Sequence, residues 1–523
     1  MAGGLPALRY YNVTWDEALG DFFFGERYLS FFTSLDPAYL DFSGDPYPAG
    51  HAPDLDSPFR DHPWEYYPVT NTLAAAASMV TSRWLGLLDP FDGFHAINLP
   101  LVALLVVALF EWMRRYYDSL AAVVACGLLL TSPRLVVHAL SNIKDTPEMV
   151  FFSLALLAFG HGWQRGSARW IVAAGLVWGL ALGTKANAIF VPPIALATVL
   201  VATTPEGLVA RLRKLWPALG GSIAAGSMLF LASWPYVWPH PIERLSLHLD
   251  YIGLRLFATR PESIASPIGA VLFTTPLPFL ALVTGGLVVA LVRRSREVRW
   301  VLPIAWIGVV VGRLYLPNAV NFDGVRHFLE AFPAFAILAG AAASSLRDRV
   351  VDSVAAPRRV TAVGICLVAL LPGIWATARS HPFQLGYWNT LAGGLAGARA
   401  SGQPQAGDYW GTSYRLGLEW LSRHAPRQSV LAVPLMQHTV TLVLQTRLRV
   451  DIDLLDISRH EVPDIRPETF TMLDEVSRQR PVYVMFAVRD DWTNPLIEHC
   501  RQRLEPVARW SLESEPILLI YRW

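Results

Sequence analysis

Ten apolar runs between residues 94 and 378 constrain this chain more than any other feature of its sequence. A helix needs roughly 20 mostly apolar residues to cross a bilayer, and most of the runs approach that length. Because backbone polar groups in lipid must be satisfied within a helix or a closed barrel, the runs predict a bundle of spanning helices. They lie at 94–113, 119–139, 148–163, 170–184, 188–203, 216–234, 266–292, 299–316, 326–346 and 358–378.

Composition supports a membrane protein with a soluble tail. Charged residues make up 16% of the chain, against about 25% in an ordinary soluble domain. A single soluble domain, a disordered chain and a fibrous protein are therefore excluded, and a net charge of +1 argues against a nucleic-acid partner. The predicted domains are an acidic outer loop at 10–93, a transmembrane bundle of about ten helices at 94–380 and a soluble domain at 381–523.

The tail from residue 381 has the charge density of a soluble protein and alternates helical with strand-like patterns. Such alternation predicts a small α/β domain. The predicted helices cover 412–424, 467–480 and 494–504, and the predicted strands cover 430–433, 448–453, 482–486 and 517–521.

The distribution of basic residues predicts the orientation in the membrane. Alternate loops carry 15 Lys and Arg residues, whereas the intervening loops carry six over a similar length. The basic loops are predicted to be cytoplasmic, which places the loops near 140–147, 235–265 and 317–326, together with the tail, on the outer face. The acidic loop would then begin outside without a signal peptide in residues 1–9, so we expect a further spanning helix upstream of Met1.

Charged groups at the mouth of a membrane bundle are costly and are functional candidates by default. Trp15-Asp16-Glu17 opens the acidic loop, where partial burial suits a carboxylate to act as a general base. On spacing alone, a helix start capped by Thr14 is the favoured explanation of the same residues. Both interpretations stay open from sequence.

The loop between the second and third runs contains Asn142, Lys144 and Asp145. Asp145 fits a helix cap, and the Lys144–Asp145 pair also fits a charged ligand. Lys185 lies between two runs in a Gly-Thr-Lys order that lacks the Gly-x4-Gly-Lys frame, so an ATPase is excluded. A lysine there can also simply reach out to the membrane surface.

Arg326 and His327 follow Asp323 at the start of the ninth run. Arginine suits bidentate contact with phosphate, and a local ion pair with Asp323 is the alternative. In the tail, Asp451-Ile452-Asp453 matches the short acidic motif of nucleotide-sugar transferases, although such pairs are common at strand ends. No metal-ligand spacing is evident, so no cofactor is assigned and a divalent metal stays an open alternative.

These motifs, in their order, resemble the GT-C class of integral-membrane glycosyltransferases. The resemblance is nearest to the group of protein O-mannosyltransferases and aminoarabinose lipid A transferases (glycosyltransferase family 39-like). It rests on Trp15-Asp16-Glu17, His62-Pro63, Asn142-Ile143-Lys144-Asp145-Thr146-Pro147, Gly183-Thr184-Lys185-Ala186-Asn187, Arg326-His327-Phe328, His381-Pro382-Phe383-Gln384, Tyr387-Trp388-Asn389 and Asp408-Tyr409-Trp410-Gly411.

The resemblance implies a polytopic α-helical membrane protein, a GT-C-like helix bundle with a small C-terminal α/β domain on the outer face. Residues 69–88 would form juxtamembrane helices, and the protein would reside in a bacterial inner membrane with its active site outside. The implied reaction moves a sugar from a polyprenyl-phosphate donor, with inversion, to a hydroxyl of a protein, lipid or polysaccharide acceptor. A transporter or flippase of lipid-linked substrates and a catalytically inactive relative are the alternatives, and no inverted repeat is found to favour transport.

The resemblance also implies roles for nine residues. The catalytic carboxylates would be Asp16, Glu17 and Asp145. The donor phosphate would be bound by Arg326, His327, Lys185 and Lys144, and the substrate positioned by His62 and Asn142. One departure stands out: His95 and Asn98 occupy the stretch in which relatives often place an arginine that binds phosphate.

Overall fold

The described part of the first 380 residues is largely helical, as the apolar runs predict. The computed structural model describes residues 4–42, 59–257, 266–316, 319, 321–457 and 464–523. The α-helices in this part are α1 (Gly4–Leu8), α2 (Phe22–Ser34), α3 (Pro68–Ser78), α4 (Pro90–His95), α5 (Asn98–Tyr116), α6 (Ser119–Leu130), α7 (Pro133–Ser141), α8 (Asp145–Arg165), α9 (Ala168–Leu182), α10 (Val191–Ala202), α11 (Pro205–Ser233), α12 (Pro241–Phe257), α13 (Pro267–Thr274), α14 (Leu277–Arg293), α15 (Val298–Gly312), α16 (Phe332–Val354) and α17 (Arg358–Ser380). Short 3₁₀ or π turns occupy Glu17–Asp21, Pro37–Leu40, Pro63–Glu65, Met79–Trp84, Ala186–Phe190, Pro235–Val237, Arg313–Tyr315 and Arg326–Ala331.

Several of these helices are long and apolar enough to cross a bilayer. In the described part of the chain, five segments meet that condition, and a sixth does if the bent pair α6–α7 forms one span. α11 and α17 bury only 17% and 11% of their apolar windows inside the protein, as expected of helices that face lipid. The five segments are Pro90–Tyr116, Pro205–Ser233, Val298–Tyr315, Arg326–Val354 and Arg358–Ser380. The chain is an integral membrane protein.

Two predicted spans are wrong in detail: the run 119–139 is bent by 65° between α6 and α7, and the run 266–292 is divided as well. The run 266–292 was expected to be a single helix, but the structure divides it into α13 and α14. Pro276 follows the break, and a proline has no N–H to continue the helix and drives the preceding residue out of the α region. Thr275 is accordingly extended, with φ −105° and ψ 139°.

Loops that the charge distribution places on one side meet one another. At one end of the bundle, Arg299 Nη1 donates to the carbonyl of Tyr116 at 2.7 Å and Arg347 pairs with Asp118 at 2.9 Å, all in or beside loops predicted to be cytoplasmic. At the other end, the loop that starts α8 contacts the turn before α2 and the turn before α10. The two sets of loops therefore lie at opposite ends of the bundle, and which end faces outward stays a prediction.

The stretch 69–88, where the resemblance implies juxtamembrane helices, is largely helical. It contains α3 and the π turn Met79–Trp84, and it is not among the five spanning segments of the described chain. α3 packs against α2 and α4, beside the end of the bundle that holds the acidic loop. The centre of the predicted acidic loop, residues 43–58, lies outside the described residues.

The tail is a small α/β domain around one five-stranded sheet with the order β2-β1-β3-β5-β4. β2, β1 and β3 are parallel, and β3, β5 and β4 are antiparallel. The strands are β1 (Val430–Ala432), β2 (Asp453–Leu455), β3 (Val482–Ala487), β4 (Pro506–Leu512) and β5 (Glu515–Arg522), and the helices are α18 (Gly394–Ala400), α19 (Tyr414–His424), α20 (Gln437–Arg447), α21 (Thr469–Ser477) and α22 (Pro495–Arg503).

The tail differs from the sequence-based prediction in four elements, the first of which is the unpredicted helix α18. β4 and α20 were not predicted, and the strand expected at 448–453 lies at Asp453–Leu455. β4 is an edge strand that alternates half-buried and exposed residues, so its apolar signal is weak. α20 carries polar residues at its start and lacks a clear stripe of apolar side chains, which hides its helical period.

Candidate active site

Arg326 joins three separate parts of the chain at the end of the bundle that contacts the tail. Its Nη1 lies 2.6 Å from Asp16 Oδ2, and its Nη2 lies 3.2 Å from Asp323 Oδ2. The side chain of Arg326 is buried, whereas Asp16 remains 29% exposed. The local ion pair with Asp323, one of the two alternatives raised from sequence, is present, and Arg326 also reaches Asp16 in the first acidic motif.

Aromatic rings hold the Arg326 guanidinium in place. The rings of Phe322 and Trp410 each lie with their centroid 4.9 Å from its central carbon. Trp410 Nε1 donates to Asp323 Oδ2 at 3.2 Å, so the tail fixes both the cation and its carboxylate partner. Arg489 of the tail also approaches Asp323, at 3.5 Å. Burial raises the pKa of the Asp323 carboxyl, and the two guanidinium groups oppose that rise.

Glu17 binds backbone rather than facing the entrance. It is buried, and its Oε2 accepts from the backbone N–H of Thr14 at 2.7 Å, which is the capping-box contact between residues i and i+3. Its Oε1 accepts from the N–H of Ile143 at 3.2 Å, and His95 Nε2 lies 3.1 Å from Oε2. Glu17 therefore fixes Asp16 relative to the loop that starts α8.

Asn142 organises that loop. Its side-chain oxygen accepts from the N–H groups of Lys144 and Asp145 at 3.0 and 2.8 Å, and its side-chain N–H₂ donates to Asp145 Oδ2 at 2.8 Å. Asp145 Oδ1 is 2.5 Å from Lys185 Nζ, and both groups are largely shielded from solvent. Asn98 donates to the Asn142 carbonyl at 2.9 Å and supports the loop from behind.

Asp21 is a site carboxylate that the sequence did not single out. It is buried one turn after Asp16 and Glu17, and Lys144 Nζ lies 3.8 Å from its Oδ1. Burial raises the pKa of Asp21 to about 6, although Lys144 counteracts the rise. The only sequence signal for Asp21 is its place close after Asp16 in the acidic loop, and many other acids of that loop lie in similar surroundings.

Two candidate residues lie apart from these contacts. His62 is 39% exposed and contacts its sequence neighbours Asp61 and Glu65, at 4.0 and 3.8 Å. His327 is half-buried, with its ring centroid 4.5 Å from that of Phe322, and its carbonyl accepts from Arg313 and Asn187. Neither contact involves Asp16 or Asp145, so the roles of His62 and His327 stay predictions.

The acidic motif of the tail, Asp451-Ile452-Asp453, is held by ion pairs. Asp451 is bound by Arg449 at 2.5 Å and Asp453 by Arg480 at 2.6 Å, on the edge of the tail sheet. Among the residues that the structure describes, no group of three His, Cys, Asp or Glu side chains is placed to hold a metal ion. The site therefore contains a partly exposed carboxylate, Asp16, that is paired with Arg326. Two further cations, Lys144 and Lys185, are held by the carboxylates of Asp21 and Asp145.

Comparison with known proteins agrees with this architecture. The family model for dolichyl-phosphate-mannose-protein mannosyltransferase matches residues 93–235, which include Asn142, Lys144, Asp145 and Lys185. ArnT from Cupriavidus metallidurans in the apo state superposes with a TM-score of 0.50 at 16% identity, over 100% of this chain and 96% of that one. The same protein bound to undecaprenyl phosphate gives a TM-score of 0.51 at the same identity and coverage.

The chain has the GT-C glycosyltransferase fold. This confirms the fold expected from the motifs, including the small C-terminal sheet domain. The Archaeoglobus fulgidus oligosaccharyltransferase, solved with zinc and sulfate, is also similar, with a TM-score of 0.45 at 14% identity over 91% of this chain and 64% of that one. No curated protein sequence matches the chain. In this GT-C fold, the Asp16–Arg326 contact lies between the bundle and the tail.

Proposed function

We propose that the chain transfers a sugar from a polyprenyl-phosphate donor to an acceptor hydroxyl at the outer face of a bacterial inner membrane. The observation that carries this proposal is the 2.6 Å contact between Asp16 and Arg326. It puts a carboxylate able to accept a proton next to a cation able to face a phosphate. The GT-C fold and the match to a family named for a dolichyl-phosphate sugar support the donor class.

Asp16 is the carboxylate best placed to act as the base. Its side chain is 29% exposed, whereas those of Glu17, Asp145 and Asp21 are 2%, 3% and 1% exposed. A base must come within hydrogen-bond distance of the acceptor hydroxyl, which the other three cannot do without moving. Glu17 and Asn142 position Asp16 and the loop that starts α8, and Asp145 holds Lys185.

The reaction moves one negative charge past Arg326. The acceptor oxygen attacks the anomeric carbon, its proton passes to Asp16, and the bond from that carbon to the phosphate oxygen breaks with its electrons going to the phosphate. Direct displacement inverts the configuration at that carbon. Asp16 becomes neutral while the phosphate charge rises toward −2, so Arg326 exchanges one anionic partner for another.

This exchange favours the transition state over the ground state. Before reaction, Arg326 is neutralised by Asp16 and Asp323; during reaction its attraction to Asp16 fades as its attraction to the phosphate grows. Lys185 and Lys144 are further cations for the phosphate, each held by a carboxylate partner.

The test is a donor panel. Purified protein in nanodiscs is given polyprenyl-phosphate-linked hexoses and pentoses with a mixture of hydroxyl acceptors, and release of polyprenyl phosphate is measured. The proposal expects release with at least one donor and its loss in Asp16→Asn. The protein is also reconstituted into vesicles. Movement of intact donor from one leaflet of the vesicle membrane to the other, with no release of polyprenyl phosphate from any donor, would identify a flippase and refute the proposal.

A further inference from the structure

Arg134, on α7, is a buried cation without a carboxylate partner. It is 2% exposed, and no acidic side chain of the described residues lies within ion-pair distance. Its Nε donates to the Tyr387 carbonyl at 3.3 Å, and its guanidinium packs on the rings of Trp388 and Tyr409, 5.1 and 5.9 Å from their centroids. Buried arginines elsewhere in the described chain, such as Arg447, are paired with aspartates. An unpaired buried charge is costly.

His138 lies one helical turn after Arg134, on the same face of α7. Asn142 donates its side-chain N–H to His138 Nδ1 at 3.0 Å, and the orientation of that amide is fixed because its oxygen accepts from two backbone N–H groups. His138 Nδ1 is therefore an acceptor, and in the neutral ring the proton is on Nε2. His138 packs edge-on against Trp410, at 5.2 Å between ring centroids.

Three buried donors in this region have no hydrogen-bond partner within the described structure: Arg134 Nη2, His138 Nε2 and the Tyr409 hydroxyl. Buried donors are nearly always satisfied, so three together require an explanation. Gly324 adds to the arrangement, because a Cβ at that position would collide with Arg134 Nη1 and its φ of +67° favours glycine. The loop before Arg326 thus accommodates the guanidinium.

We propose that Arg134, His138 and Tyr409 form an oxyanion subsite that binds a phosphate group. The cluster offers N–H and O–H donors, one uncompensated positive charge and the planar fork that matches a phosphate. It is next to the proposed active site, because Trp410 contacts His138 on one side and Arg326 on the other. Binding of a phosphate here does not depend on the proposed function, but its assignment to the lipid product or to a phosphorylated acceptor does.

The test measures phosphate binding through thermal unfolding of the full chain in nanodiscs. The unfolding midpoint is followed against inorganic phosphate and, separately, undecaprenyl phosphate, with chloride at matched ionic strength as the reference. Arg134→Met keeps much of the volume and removes the charge, and Tyr409→Phe removes only the hydroxyl. As a control, Arg480→Met removes a partly exposed cation beside the tail sheet, remote from the proposed subsite.

Arg134→Met is expected to weaken binding of at least one ligand about 10- to 100-fold, as loss of a charge-assisted hydrogen bond does, without lowering the unliganded midpoint. Tyr409→Phe should weaken it by about 2- to 10-fold, and Arg480→Met should leave it unchanged. A change confined to inorganic phosphate assigns the subsite to the acceptor, and a change with undecaprenyl phosphate assigns it to the lipid.

Unchanged binding of both ligands in Arg134→Met and Tyr409→Phe would overturn the proposal, as would a lower unliganded midpoint with unchanged affinity. If Arg134→Met does not fold, Tyr409→Phe decides alone. If these variants bind phosphate more weakly than the wild type, but the wild type transfers no sugar, the subsite is upheld and the proposed function is refuted. If the variants bind phosphate as the wild type does, and the wild type transfers sugar, the subsite is refuted and the proposed function is upheld.

Discussion

Arg326 Nη1 and Asp16 Oδ2 are 2.6 Å apart although 310 positions separate the two residues in the chain. The contact joins the acidic motif that follows α1 to the loop that enters α16, and Trp410 of the tail packs over it. Three segments must therefore fold together to complete the site. Substitutions around this contact separate residues that take part in chemistry from residues that hold the site in place.

Arg326→Lys keeps the charge but loses the fork that contacts Asp16 and Asp323 at once. We expect transfer to fall by about 100-fold, in the range seen when one transition-state donor is lost, while the unfolding midpoint changes little. Turnover and thermal unfolding on the same preparation measure both effects. If Arg326→Lys turns over at the wild-type rate, the Arg326–Asp16 contact is a structural ion pair and takes no part in transfer.

Glu17→Gln tests the positioning role of the buried carboxylate. Its replacement puts an amide N–H₂ where a carboxylate oxygen accepts from Thr14 or Ile143. The variant should lose about 1–3 kcal/mol of stability, because a buried donor is left unsatisfied. Its pH–rate profile should match that of the wild type. A large loss of rate at full stability would instead make Glu17 a catalytic residue.

Asp21 predicts a pH dependence of stability. Its pKa is raised from an ordinary 3.8 to about 6, so the folded state holds this proton more tightly than the unfolded state. The protonated Asp21 therefore adds to the free energy of unfolding. This contribution is complete below about pH 3.8 and is lost as the pH rises through about 6, a change of roughly 3 kcal/mol. Unfolding measured across this range should show Asp21→Asn gaining stability relative to the wild type as the pH rises. A constant difference would contradict the prediction.

The outer-face orientation is tested by cysteine labelling. Cys126 and Cys500 are buried and Cys366 is half-buried, so all three are first replaced by alanine. A cysteine at Val450, which is 92% exposed in the tail, should react with an impermeant reagent in intact cells. One at the exposed Arg296, in a basic loop, should react only after permeabilisation. The opposite pattern would reverse the orientation inferred from charge.

The helices of the bundle were predictable because the length and the apolar character of each run can be read directly from the local sequence. The sequence also identified Asp16, Asp145, Lys185 and Arg326 as charged groups at helix ends, where charge is unusual. It could not indicate that Arg326 meets Asp16, since that contact depends on how distant helices pack. Within the tail, β4 went unrecognised because an edge strand alternates with exposed polar residues.

The site residues that were missed share one property. Asp21 and Arg134 are buried by tertiary packing. Asp21 is one of many acids in its loop, and Arg134 lies inside the run 119–139, where only the bend between α6 and α7 shows its surroundings. Burial cannot be inferred from a single charged residue beside an apolar stretch. For Glu17 the local pattern favoured a cap, and the structure adds the distant contacts with His95 and Ile143.

Asp16→Asn provides the most direct test of the account. Asparagine keeps the size of the side chain and an acceptor for Arg326 but removes the base, so the single-turnover rate of sugar transfer should fall by about 10²- to 10⁴-fold. Donor affinity and the unfolding midpoint, measured on the same preparation, should stay close to wild type. Wild-type transfer by Asp16→Asn would contradict the assignment of Asp16 as the base, and with it the central claim about this site.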